Sequence, residues 1–100
     1  MSIIKVSARS RTASVAGAIA GVIRETDRAE VQAIGAGAVN QAVKAIIIAS
    51  GYLAEEDRYV ACLPSFVEVM IDDQERTAIR FVVEAREQMV EEPLDLWSTV

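Results

Sequence analysis

Histidine is absent from the 100-residue sequence, and cysteine occurs once, at Cys62. A chain without histidine lacks the commonest general base and the commonest zinc ligand, which excludes most classes of enzyme. Cys62 cannot form an internal disulfide, and its position in an apolar run predicts a small core residue rather than a nucleophile. We therefore predict a protein that is not an enzyme and uses no metal or cofactor.

Long apolar stretches are also absent. No stretch reaches the roughly 20 residues that span a bilayer, and no charged N-terminal region precedes a long apolar one with a cleavage site. These absences predict a cytoplasmic protein. Hydrophobic residues nevertheless make up 52% of the chain, which predicts one folded domain with a single modest core.

Positive charge is scarce overall but unevenly distributed. The formal net charge is −5. Residues 1–50 carry six basic and three acidic residues, whereas residues 51–100 carry four basic and twelve acidic residues. No acidic residue precedes Glu25. Because net charge governs solubility and steering rather than a local site, the sequence is compatible with a basic end on an acidic protein.

The hydrophobic pattern predicts an α/β fold in which two strand-helix units are followed by a hairpin. Apolar runs predict the strands, and apolar residues at helical spacing predict the helices. The predicted elements are, in chain order, a strand at 3–8, a helix at 14–25, a strand at 30–35, a helix at 38–54, and hairpin strands at 58–72 and 75–85. Right-handed crossovers then place both helices on one face of a four-stranded mixed sheet.

Local signals refine this outline. Thr12 or Ser14 is a predicted N-cap of the first helix, and Pro64 predicts an edge or a bulge in the third strand because proline cannot donate to a ladder. Residues 1–86 are predicted to form the domain, and 87–100 a C-terminal extension that is either helical or flexible.

Gly17 and Gly21 lie one turn apart in the first predicted helix. Inside a helix each glycine costs on the order of 1 kcal/mol relative to alanine. We therefore expect another backbone to approach this helix closely at the two glycines.

Two loops are predicted at one end of the sheet, because both follow parallel strands. Each opens a helix whose first N–H groups lack an intrahelical partner and attract anions. Arginines in the first loop suit phosphate, and glycines in the second let a backbone approach closely. The candidate nucleic-acid-binding residues are Arg9, Ser10, Arg11, Thr12, Gly35, Gly37, Asn40 and Lys44.

Other interpretations of these residues are weighed against this one. Gly35 and Gly37, with acidic residues at 55–57, suggest a dinucleotide-binding turn, but Asn40 replaces the third glycine and too few strand-helix units follow, so we discard it. The glycines can instead serve packing, and the arginines can belong to an ordinary solvated loop. Asn40 can cap the helix, and Lys44 can be a surface residue.

Three segments closely resemble the bacterial stage V sporulation protein S family. They are IIKVSARSRTASVAGAIAGVIRE, AEVQAIGAGAVNQAVKAI and DDQERTAIRFVVEAR, and with their connections they span residues 1 to 86. The family is similar to the Alba-like fold, with the same β-α-β-α-β-β order. The resemblance implies a non-enzymatic regulator of spore development, presumed to bind DNA or RNA, and a homodimer like other Alba-like proteins.

The resemblance carries over to the site only in part. Alba-type proteins bind nucleic acid through lysines of the first loop, which Arg9 and Arg11 replace here, and through basic residues near the second, where Lys44 remains. Their hairpin arm is basic, whereas residues 72–75 here are mostly acidic. Fewer phosphate contacts imply weaker, salt-dependent binding. The alternative is a homodimeric protein-interaction module without nucleic-acid binding, and a small-anion sensor is a third hypothesis.

Overall fold

The computed structural model describes residues 3–87. Its elements are, in chain order, β1 (Ile3–Val6), α1 (Thr12–Thr26), β2 (Arg28–Ala33), α2 (Ala36–Ala54), β3 (Tyr59–Ile71) and β4 (Gln74–Arg86). The predicted β-α-β-α-β-β order is therefore confirmed. Apart from Glu87, the predicted C-terminal extension at 87–100 lies outside the described residues.

The four strands form one mixed sheet in the order β1-β2-β4-β3. β1 and β2 are parallel, and β4 runs antiparallel to both β2 and β3. β3 is consequently an edge strand, as Pro64 predicted. Within the described part of the chain, neither helix is long and apolar enough to cross a membrane.

The core lies between the sheet and the two helices. β2 shows why this face is buried: Ala29, Val31 and Ala33 alternate with partly exposed polar residues, so one side of the strand is apolar. The largest fully buried side chains come from both helices and from the two central strands; they are Ile19, Ile23, Leu53, Val31 and Val83. Both helices thus cover one face, as predicted, and within residues 3–87 no helix covers the other face.

The helix starts differ from the sequence prediction. α1 begins after Arg11, whose side chain makes no capping hydrogen bond, so the prediction of Thr12 or Ser14 as N-cap is wrong. α2 begins at Ala36, two residues before the predicted start. The prediction was late because it relied on apolar residues at helical spacing, and Ala36 and Gly37 do not belong to that pattern although their backbone is already helical.

The predictions for Gly17 and Gly21 within this chain, and for Cys62, also differ from the structure. No other part of the described chain comes within 4 Å of where a Cβ of Gly17 or Gly21 would lie, so the two glycines do not serve close packing within the domain. Cys62 is exposed rather than in the core. Its register partner is the buried Val83, so it lies on the helix side of β3, and partial desolvation raises the pKa of its thiol.

The β3–β4 hairpin is longer than the rest of the sheet. β2 pairs with β4 only from Ile79 to Glu84, whereas the β3–β4 ladder continues to the pair Ile71 and Gln74. Residues 67–78, called here the hairpin arm, therefore extend past β2. Asp72 and Asp73 form the turn, and both adopt the left-handed conformation that aspartate tolerates.

Candidate nucleic-acid interface

The loops after β1 and β2 contact each other, as the topology predicted. A Cβ added to Gly37 would lie only 2.9 Å from the Cβ of Ala8, so glycine is needed for this close approach. The Gln41 side chain of α2 donates a 2.8 Å hydrogen bond to the carbonyl oxygen of Ser10. We call this region, residues 7–11 and 34–37 with the starts of α1 and α2, the loop end of the sheet.

The first loop is held by its own serines. The Ser7 N–H donates to the Ser10 hydroxyl at 2.9 Å, and the Arg9 N–H donates to the Ser7 hydroxyl at 3.2 Å. The Ser10 N–H also donates to the Ser7 carbonyl, at 3.1 Å. Ser10 therefore shapes the loop from inside, while the side chains of Arg9 and Arg11 are exposed at its surface.

The second loop depends on the backbone of Gly35. This residue is the N-cap of α2 and has φ 90° and ψ 156°, a conformation that is essentially restricted to glycine. No neighbouring atom lies within 4 Å of a Cβ built on Gly35, so the conformation, rather than space, requires glycine here. Gly35 and Gly37 thus have different roles in one turn.

Both helix starts present unpaired N–H groups. The first intrahelical bonds are donated by Val15 to the carbonyl of Arg11 and by Val39 to that of Gly35, so the N–H groups before Val15 and Val39 have no intrahelical partner. Neither helix has a side-chain cap or an acidic residue in its first turn. The partial positive charge of each helix start is therefore not compensated from within its own helix.

The cations of the loop end have no counter-ions. Arg9, Arg11 and Lys44 are exposed and make no ion pair with any residue of 3–87. Lys44 and Asn40 lie at helical spacing from Gly37, so the three share one side of α2. Thr12 is half-buried at the first position of α1.

At the opposite end of the sheet Arg24 and Arg28 are paired with carboxylates. Arg24 binds Glu56 through two guanidinium nitrogens, with a shortest distance of 2.6 Å. Arg28 bonds to Glu30 at 2.9 Å and to Glu84 at 3.3 Å. The basic charge counted in the first half of the sequence is thus partly neutralised there, and the uncompensated part is concentrated at the loop end.

Sequence reasoning missed Ala8 and Gln41, which join the loops, and Ser7, which bonds to Ser10 within the first loop. The sequence did contain a signal for Gln41, because it lies next to Asn40 and one helical turn after Gly37, both of which were candidate site residues. The contact of Ala8 with Gly37 depends on three-dimensional packing and left no local signal.

Comparison with known proteins identifies the family of the chain and a similar fold. A family model described as stage V sporulation protein S (SpoVS) matches residues 2–86. The chain belongs to this family. Membership agrees with the resemblance noted from the three sequence segments, and it associates the chain with a family named for sporulation.

Among solved structures, the fold is similar to that of Alba from Thermoplasma volcanium. The TM-score is 0.58 at 14% sequence identity, and the match covers 83% of this chain and 99% of the Alba chain. The similarity confirms the predicted Alba-like fold. At this level of identity it bears on the fold alone.

Proposed function

We propose that this member of the SpoVS family is a non-enzymatic, cytoplasmic regulator of sporulation that binds nucleic acid through the loop end of its sheet. The observation that carries the proposal is the contact between the two loops. It brings two uncapped helix starts together beside Arg9 and Arg11, and Lys44 lies about two turns further along α2; these three cations have no counter-ion among residues 3–87. Such a surface is suited to an extended polyanion rather than to one isolated anion.

Phosphate contacts would provide most of the affinity. Guanidinium groups can bind two phosphate oxygens at once, and backbone N–H groups at the helix starts can donate to further oxygens. Contacts of this kind position a protein on the backbone but carry little sequence information. Because binding releases counter-ions, the affinity should fall steeply as the salt concentration rises.

The proposal is tested by fluorescence anisotropy with labelled duplex DNA, single-stranded DNA and RNA, between about 50 and about 200 mM salt. The variant Arg9→Ala/Arg11→Ala should weaken binding at low salt and reduce the dependence of log K on log salt. Arg24→Ala/Arg58→Ala is the matched control, since it removes the same charge at the opposite end, and it should bind like the wild type. Circular dichroism checks that both variants are folded.

Absence of binding to all three nucleic acids at low salt would refute the proposed function. Equal losses in the two double variants would show that net charge, rather than the loop end, determines binding.

A second surface favours the alternative, a homodimeric interaction module. The helix side of the edge strand β3 exposes Cys62, Pro64 and Phe66, and α2 exposes Ile47 on its outer side; Phe66 and Ile47 are 78% and 64% exposed. A long apolar edge strand beside apolar helix residues is suited to pairing with a second copy. A homodimer formed through β3 is compatible with nucleic-acid binding at the loop end, whereas a module that binds no nucleic acid is the competing hypothesis.

Sedimentation analysis tests this second surface. Phe66→Asp should convert a dimer to a monomer, whereas Leu63→Asp, at a similarly exposed position on the opposite side of β3, should leave it intact. A wild-type protein that is monomeric at micromolar concentration would contradict the homodimer.

A further inference from the structure

The sheet face without helices carries a row of polar residues that crosses all four strands. In the strand register Lys5 pairs with Gln32, Gln32 with Arg80, and Arg80 with Ser65. Neighbouring strands are about 4.8 Å apart, so the backbone positions of Lys5 and Arg80 are about 10 Å apart, and Gln32 lies between them. This row is called the open-face row below.

A cleft lies beside one end of this row. It has a volume of about 470 Å³. Its walls come from β1, from the segment after β2 and from the hairpin arm; the lining residues are Ile3, Lys5, Val6, Ser7, Ala8, Gln32, Ile34, Val69, Met70 and Ile71. Mostly aliphatic walls with a few polar groups are typical of a small-ligand site.

Three polar side chains of the row, those of Lys5, Gln32 and Arg80, have few partners within residues 3–87. Lys5 and Arg80 make no ion pair within residues 3–87, and the Gln32 amide has no hydrogen-bond partner there. The Nε of Arg80 is buried and has no acceptor in that part of the chain. The acidic residues on this face, Glu30 and Glu84, are both bound to Arg28.

The cleft is continuous with the loop end, because Ser7 and Ala8 of the first loop line it. We propose that the open-face row and the cleft bind single-stranded nucleic acid, with a phosphate on Lys5 and one unpaired base in the cleft. This inference rests on the proposed function and specifies which class of nucleic acid the protein binds.

A cleft that takes an unpaired base implies a preference for single-stranded nucleic acid. In a duplex the bases are stacked and paired inside the helix, so a base can enter a pocket only from a single strand or after flipping. Once inside, the base edge can exchange hydrogen bonds with the Gln32 amide, which both donates and accepts. The lining contains no aromatic residue, so aliphatic contacts and hydrogen bonds, rather than ring stacking, would hold the base.

The acidic turn of the hairpin arm determines which side of the cleft the nucleic-acid backbone occupies. Asp72 and Asp73 directly follow Ile71 at the cleft wall, and they repel phosphate. The backbone should therefore lie toward Lys5 and the first loop, with the base toward Val69 and Ile71.

The decisive experiment compares single-stranded RNA, single-stranded DNA and duplex DNA by fluorescence anisotropy at low salt. Lys5→Gln changes an exposed side chain and should weaken single-strand binding about tenfold while leaving duplex binding unchanged. Gln32→Leu should weaken single-strand binding as well. Arg58→Gln is the control with the same charge change at the opposite end, and it should bind like the wild type.

Asp72→Asn/Asp73→Asn should strengthen single-strand binding, since asparagine also tolerates the left-handed turn. If Lys5→Gln leaves single-strand binding unchanged while Arg9→Ala/Arg11→Ala reduces it, the open-face inference is wrong and the proposed function stands. Equal losses for single strands and duplex also overturn the inference. Wild-type protein that binds none of the three refutes the inference and the proposed function together.

Discussion

The two ends of the sheet are stabilised in different ways. At the loop end, backbone conformation and close packing determine the structure: Gly35 has a conformation reserved for glycine, and Gly37 contacts Ala8. At the opposite end, carboxylates neutralise the cations, as in the pair of Arg24 and Glu56. The loop end is held by backbone conformation and packing rather than by ion pairs, so its cations are left available for a ligand.

This difference shows why a charge count along the sequence is incomplete. Arg24 and Arg28 contribute to the basic character of residues 1–50, yet both are paired with glutamates. What matters for binding an anion is the charge at one end of the sheet that no carboxylate neutralises. Variants that damage the shape of the loop end should therefore cost more stability than variants that remove charge at the opposite end.

The largest effect is expected from Gly35→Ala. Alanine would have to adopt φ 90° and ψ 156°, which should lower the free energy of unfolding by about 1 to 3 kcal/mol. Urea denaturation measures this change as a lower midpoint with an unchanged slope. Gly17→Ala is the control because this glycine is exposed, helical and without close neighbours.

Gly17→Ala should raise the free energy of unfolding by about 0.5 to 1 kcal/mol, since alanine is the better helix former. If both alanine variants shift the midpoint in the same direction, the proposed distinction between a conformational glycine and a dispensable one is wrong.

A smaller loss is expected from Gly37→Ala. The new Cβ would lie 2.9 Å from the Cβ of Ala8, so the contact between the loops must open, at a cost of about 1 kcal/mol. Ala8→Gly should rescue this loss in the double variant, because it removes the atom in the way. A double-mutant cycle in urea measures the coupling, and additive effects would contradict a direct contact between the two loops.

Much of the fold could be predicted because it depends on local patterns. The alternation in β2 and the helical spacing of apolar residues in α1 are visible in the sequence, and they determine which sides face the core. The exposure of Cys62 could not be predicted, because an alternating strand does not show how far the covering helix reaches. Local periodicity identifies an apolar side but not the partner that covers it.

The candidate site could be predicted only as two loops at one end. Their direct contact through Gln41 and Ser10, and the register that aligns Gln32 with Arg80, join residues far apart in the chain. Such pairings depend on strand register and loop packing, which no short window of sequence contains. The Alba-like resemblance supplied the topology but not these contacts.

The smallest effect is expected at the opposite end, from Glu56→Gln. The hydrogen bond and the positive charge of Arg24 hold the pKa of Glu56 below its usual range in the folded protein. The pair therefore stabilises the fold above the ordinary glutamate pKa, and this contribution is lost as the pH falls through the lowered value. The difference in urea midpoint between wild type and Glu56→Gln should be small near neutral pH, because both groups are exposed, and should disappear once the pH is below the lowered pKa of Glu56. Glu25→Gln, at an exposed glutamate without an ion pair among residues 3–87, is the control for the loss of one negative charge. A difference that persists in acid would mean that Glu56 stabilises this end through packing rather than through its charge, and the contrast between the two ends would then rest on the loop end alone.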